Sequence, residues 1–277
     1  MKNKLNECVV AGKKTRSGCF IGKNRDRTYM PNIEIIHGLY PNLEYVIIHD
    51  SDTGYAEGVN VTSGIAVLNS SLLNGKDFGK NKSPEGSRLL KSLLRSNSIE
   101  ELINYITKVY PVYGCTVIAD RDDICILEHD TDGWDHKIYS NIDDYVVRSN
   151  HGTLRKDSGY SASSPVDYLS SRTREATGEI ILDKSETIED LMANFSYPFF
   201  DNLGAINISR NTDYMNTTNQ IGIDMNRNIF RFINVPGKQN FKGIRKLGPW
   251  TTTPKFKIEI PEYSEPLKPT FDFWGLR

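Results

Sequence analysis

The chain has 277 residues, a formal net charge of −1, 38% hydrophobic and 25% charged residues. That size and apolar share suit one globular domain with ample core, or at most two, and the near-zero charge argues against nucleic acid or an anionic membrane surface as partner. No signal-like apolar stretch opens the chain and no apolar run approaches transmembrane length, so a cytoplasmic protein is expected.

The four cysteines, Cys8, Cys19, Cys115 and Cys125, show no CxxC and no metal-ligand spacing with histidine. Neither a disulfide scaffold nor a zinc site is indicated. Residues 1–7 are polar and lack periodic apolar positions, which taken alone reads as a disordered tail. Two short apolar runs follow, at 9–11 and 19–21, around a polar glycine-bounded turn at 12–18. They read as a buried β-hairpin. Pairing across that turn brings Arg25 and Asp26 back beside Cys8. A guanidinium beside a thiol favours the thiolate, which is the nucleophile. If Cys8 became the first residue, its own α-amine could serve as base with Asp26 holding it.

Cys8 followed by Gly22-Lys23-Asn24-Arg25-Asp26 resembles the N-terminal-nucleophile amide hydrolases, in the branch of choloylglycine hydrolase, penicillin acylase and acyltransferase. The resemblance implies a propeptide at 1–7, removed by attack of the Cys8 thiol on the Glu7 carbonyl. A single domain would then span 8–277, ending in an extended tail from about residue 251.

From 33 to 73 the chain reads as successive strands with turns at 50–54 and 58–64. The segment Ile65-Ala66-Val67-Leu68-Asn69 is similar to the family's second strand pair. There the asparagine at the strand end, here Asn69, helps line the oxyanion site, where one preorganised donor can be worth about 3 kcal/mol. Ser83-Pro84-Glu85 starts a helix with Leu89, Leu90, Leu93 and Leu94 as its stripe. Ser98-Ile99-Glu100-Glu101 is a capping box opening a second helix through Lys108. Hairpin strands follow at 113–119 and 124–128. A strand at 145–149 runs into Asn150-His151, and by resemblance Asn150 is the second asparagine of the pocket. His151 reads as a turn or pocket residue rather than the partner of a Cys-His dyad. The loop 151–164 is polar and Gly/Ser-rich, like mobile loops that gate substrates.

Ser164-Pro165 opens a long helix whose apolar stripe is Val166, Leu169, Thr173, Ala176 and Ile180. On the helical wheel Arg172 falls about 70° from the middle of that stripe and Arg174 about 130° away. Arg172 is therefore expected to reach inward and Arg174 to be a solvated charge. The segment Ser170-Ser171-Arg172-Thr173-Arg174-Glu175-Ala176 also resembles the family's Ser-Arg helix, and the resemblance implies for Arg172 the role of its distal pocket arginine. A third helix at about 187–195 precedes strands at 205–209, 220–224 and 229–233. The lysine-rich patch at 242–246 reads as a solvated loop, and 256–260 as one more strand. The aromatics at 271–274 need cover, from the body or from a neighbouring subunit in a homo-oligomer.

This element order fits an α+β fold, which the resemblance sharpens to a four-layer αββα sandwich. The implied activity is hydrolysis or acyl transfer at a linear amide of a small N-acyl substrate. Cys8 is the nucleophile, Arg25 and Asp26 hold thiol and amine, Asn69 and Asn150 stabilise the oxyanion, and no cofactor or metal is required. A cysteine dipeptidase is the rival within enzymes. A non-catalytic binding or assembly protein that keeps its pro-segment is the rival outside them.

Overall fold

The computed structural model describes residues 6–72, 85–159, 165–200, 206–249 and 253–262. Alternating and continuous apolar runs form fourteen strands among these residues, named here in chain order. They are β1 (Asn6–Thr15), β2 (Gly18–Arg27), β3 (Asn32–Tyr40), β4 (Leu43–Asp50), β5 (Tyr55–Asn60), β6 (Ile65–Ser70) and β7 (Gly114–Ala119). The remainder are β8 (Ile124–Asp130), β9 (Gly133–Tyr139), β10 (Tyr145–Arg148), β11 (Asn216–Asp224), β12 (Ile229–Asn234), β13 (Asn240–Leu247) and β14 (Lys257–Glu259).

Two large sheets result, one ordered β10-β1-β2-β11-β12-β14 and the other β13-β3-β4-β5-β6-β7-β8-β9. Neighbours are antiparallel except for the parallel pairs β12–β14 and β13–β3, so both sheets are mixed. Val10, Ile21, Ile221 and Phe232 from the smaller sheet meet Ile35, Val46, Leu68 and Val117 from the larger one in a continuous apolar layer. The fold is thus α+β with two sheets packed face to face.

Helices cover the outer faces. Helices α1 (Glu85–Arg95) and α2 (Ile99–Asn104) lay Leu89, Leu93, Leu102 and Ile103 on Ile47, Ile65 and Val67 of the larger sheet. The α2 helix ends earlier than the expected Lys108, passing into a π-helical turn at Tyr105–Val109. On the other side, α3 (Pro165–Lys184) and α4 (Ile188–Ser196) bring Ile181, Leu182, Leu191 and Phe195 onto Val9, Ala11 and Phe20. Close approach of α4 depends on two glycines paired across β2 and β11, Gly22 and Gly222. A Cβ on Gly222 would meet Met192 Sδ at 2.4 Å, and one on Gly22 would meet Leu191 Cδ2 at 2.7 Å. Among the described residues no helix is long and apolar enough to cross a membrane.

Several expectations change. Residues 206–209 form turns rather than a strand, and the lysine-rich patch at 242–246 belongs to edge strand β13, where lysines discourage further pairing. Asn6 and Glu7 extend β1 and do not form a loose tail. The described part of the loop after β10 is anchored: Glu128 accepts backbone N–H bonds from Thr153, Leu154 and Arg155, and Arg155 pairs with Asp130 at 2.9 Å. Helix α3 is turned over relative to its wheel. Leu169 and Ile180 are 63% and 44% exposed, whereas Ser171 and Arg174 are fully buried. The expected caps Ser83 and Ser164 and the aromatic tail at 271–274 lie outside the described residues.

Candidate active site

The β1–β2 hairpin sorts its side chains onto two faces, because successive residues of a strand point to opposite sides. Cys8 pairs with Arg25 and Glu7 with Asp26. Cys8, Lys23, Arg25 and Arg27 face the larger sheet. Glu7, Asn24 and Asp26 face the helices and loops outside.

On the thiol face, Arg27 donates from Nη1 to Cys8 Sγ at 3.4 Å and to the Glu7 carbonyl oxygen at 3.1 Å. One guanidinium nitrogen therefore touches both the sulfur and the carbonyl of the preceding peptide bond. Lys23 donates to both oxygens of Glu57, at 2.7 and 2.8 Å, and to the Asn69 carbonyl. Arg25 reaches Asp50 at 3.3 Å and lies 3.7 Å from Glu57. Tyr55 donates to Glu57, and Tyr29 to Asp50. Three basic side chains thus meet two carboxylates around a buried thiol. Burial lowers Lys23, while Cys8 and Glu57 work the other way. Burial also acts to lower Arg27, yet Cys8 and Tyr29 hold it above its ordinary value. Arg25 Nε and Nη1 and Arg27 Nε are buried without a hydrogen-bond partner among the described residues. Orphaned donors of this kind in a native structure call for an explanation, and a site for a ligand is one.

On the opposite face, the Glu7 carboxylate lies between two buried arginines. Arg174 Nη2 approaches it at 3.0 Å and Arg210 Nη1 at 2.7 Å. The same pair stands 3.7 and 3.8 Å from Asp26, which also accepts a bond from Thr217 at 2.7 Å. Burial pushes Asp26 up, and Arg210 and Arg174 pull against it. Asn150 links the two faces. Its Oδ1 accepts from the Cys8 backbone N–H at 3.4 Å and from Arg174 at 3.1 Å, while its Nδ2 donates to Ser70 and to the Ser71 carbonyl. Ser70, Ser149 and Arg174 all donate to the Cys8 carbonyl oxygen.

Of the residues anticipated from sequence, Cys8, Arg25 and Asn150 gather around the start of β1. Arg25 is directly across the ladder from Cys8, but its guanidinium turns to Asp50 and the contact with sulfur comes from Arg27. Asp26 lies on the other side of the hairpin from the thiol, against Arg174 and Arg210. The Asn69 side chain is also remote: it donates to Thr116 at 2.8 Å on the helix-facing side of its sheet. Arg172 is exposed and lies over the Tyr168 ring, so the inward-reaching arginine of α3 is Arg174 and not Arg172. His151 bonds Ser171 at 2.9 Å and sits 3.6 Å from Glu175, lining the wall behind Asn150.

Sequence reasoning missed Lys23, Arg27, Glu57, Ser70, Arg174 and Arg210. Lys23 and Arg27 were signalled by the two-residue alternation that puts them beside Arg25. Arg174 shares a helical face with the small and polar residues Ser170, Ser171, Thr177 and Gly178, a face that suits a polar seam better than an apolar core. Arg210 follows a turn and had no local signal.

The remaining cysteines lie in the apolar layers. All four thiols are free. Burial pushes Cys19 and Cys125 up to about 12 and raises Cys115 well above the ordinary thiol value, as for inert core cysteines. Comparison with protein-family models and with curated protein sequences finds no match for this chain.

Proposed function

We propose that the chain is a cysteine amide hydrolase or acyltransferase of the N-terminal-nucleophile kind, acting on linear N-acyl amides and matured by a cut before Cys8. The observation that carries this reading is the Arg27 contact to both Cys8 Sγ and the Glu7 carbonyl oxygen. A donor at that oxygen polarises the carbonyl for attack and would hold the negative charge that develops there. The helix–sheet–sheet–helix packing supports the four-layer αββα arrangement expected of that fold.

In maturation the sulfur attacks the Glu7 carbonyl carbon, the bond to the Cys8 nitrogen breaks, and the thiol proton passes to that nitrogen. Water then attacks the thioester, restores the thiol and releases residues 1–7 as a carboxylic acid. In turnover the freed α-amine takes the thiol proton, held by Asn150 Oδ1, which already accepts from that nitrogen. The sulfur adds to the substrate carbonyl, the C–N bond breaks, and the amine leaves with the proton. The acyl-Cys8 thioester then transfers to water or to a second amine.

The test is intact mass of C-terminally tagged protein with and without iodoacetamide. A species of residues 8–277 carrying one fast adduct, absent in Cys8→Ala, is the expected result. An uncut chain with an inert Cys8 would favour a non-catalytic protein that retains its pro-segment.

A further inference from the structure

The Glu7 carboxylate occupies a position built for an anion. Arg174 and Arg210 converge on it from a helix and a loop, at 3.0 and 2.7 Å. Both arginines are held for the purpose: Arg210 Nη2 donates to Ser170 at 2.7 Å, and Arg174 Nη2 to Asn150 at 3.1 Å. Beneath them lies Asp26, 3.7 Å or more from either guanidinium. Two buried guanidiniums around one close carboxylate form a charge-assisted, geometrically selective grip.

Glu7 is also the residue whose carbonyl oxygen shares the Arg27 Nη1 donor with the Cys8 thiol. On the reading that the chain is cut before Cys8, residues 1–7 depart as the first acyl product, and the arginine pair loses that carboxylate while keeping its other contacts. A cavity of about 250 Å³ lined by Arg210, Thr217, Gln220 and Lys238 shares Arg210 with this position.

We propose that Arg174 and Arg210 form the acyl-side carboxylate subsite, and that the pro-segment occupies it as a built-in substrate analogue. The substrate class that follows is an amide whose acyl part carries a carboxylate at the reach of a glutamyl side chain from its carbonyl carbon. Neutral acyl groups of the same length leave two buried cations facing an uncharged end and are selected against.

Binding is tested without turnover, in full-length chain kept uncut by Cys8→Ala. Calorimetry with N-acetylglutamate should show no binding to Cys8→Ala alone, where Glu7 fills the subsite, and binding to Cys8→Ala carrying Glu7→Ala. N-acetylglutamine should bind that double variant at least about tenfold more weakly. A folded double variant that ignores N-acetylglutamate overturns the subsite; Glu7→Ser, which also empties it, replaces Glu7→Ala if the latter does not fold. Turnover is tested on matured protein with N-acetyl-glutamyl and N-acetyl-glutaminyl para-nitroanilides. A preference of about tenfold or more for the glutamyl compound, collapsing in Arg210→Gln, is expected, and equal rates on the two overturn the proposal. Binding to the double variant with neither anilide cleaved would leave the subsite standing and sink the amidase reading instead.

Discussion

Arg27 and Cys8 are two residues out of step across the β1–β2 ladder, yet the Arg27 guanidinium and not that of Arg25 reaches the sulfur, at 3.4 Å. Arg25, directly opposite Cys8 in the ladder, is held by Asp50 of β4 in the facing sheet. The diagonal neighbour is the one free to lean across.

Arg27→Gln should therefore slow the cut before Cys8 by about two to three orders of magnitude, the usual effect of deleting one oxyanion donor. Arg27→Lys should lose less, since a cation remains. Intact mass followed over time measures both. Wild-type processing in Arg27→Gln would remove Arg27 from the chemistry.

Glu175 and His151 should impose opposite pH dependences on stability. Burial is the main cause that raises Glu175 from 4.5 to about 7, opposed by Arg148. Its protonated form is favoured in the fold, so stability falls as pH rises through the window from 4.5 to about 7. Burial, with Arg148 and Arg172 next, lowers His151 from 6.5 to about 4. The unfolded chain then binds the extra proton, and stability rises from about pH 4 to 6.5. The two slopes, each of order 3 kcal/mol across its window, largely cancel in the wild type. Chemical denaturation from pH 4 to 7.5 should show a rise with pH in Glu175→Gln and a fall in His151→Gln. Parallel curves for the two variants would contradict the assignment.

The Lys23–Glu57 pair is almost wholly buried between the sheets, at 2.7 Å. Glu57→Gln leaves the Lys23 ammonium there without its carboxylate and should cost about 3–5 kcal/mol. Lys23→Met together with Glu57→Gln, which keeps an acceptor for Tyr55 and for the Asn69 N–H, should recover part of that stability in a urea titration. A single variant as stable as wild type would mean that Lys23 is neutral in the fold.

Gly222→Val should loosen α4 from the smaller sheet. The added side chain would meet Met192 and Ile188, and overpacking of this kind costs about 1–3 kcal/mol. The thermal midpoint reports it directly, and an unchanged value would show that α4 can move aside at no cost.

Helix α3 shows what could and could not be read from the sequence. The existence of the hairpin, the pairing of Cys8 with Arg25 across it, and the coarse order of strand and helix groups follow from patterns of apolar residues, and the structure contains them. The buried face of α3 does not follow, because around Arg174 its partner is the charged end of β1 and β2, and only its last turns, at Ile181 and Leu182, meet the apolar sheet. A wheel that assigns the inside by hydrophobicity selects Arg172, and the buried carboxylates of Glu7 and Asp26 with the Asn150 amide oxygen select Arg174. Arg210 was invisible for a related reason: only tertiary folding brings it to Glu7. Accordingly Arg172→Ala should change stability by no more than about 0.5 kcal/mol, and Arg174→Ala by several times that. Equal effects in a denaturant series would reverse the assignment.

The alternation of charge along β1 and β2 also protects the pairing of these strands. Sliding β2 by one residue would carry Asp26 in among Asp50 and Glu57, and would push Lys23 and Arg25 outward against Arg174 and Arg210. The displaced charges would then lose their partners and meet groups of their own sign in a dry interior. Misaligned hairpins are thus disfavoured by electrostatic conflict once the apolar layers close over them, so the charges that surround Cys8 also help to fix the register of the two strands.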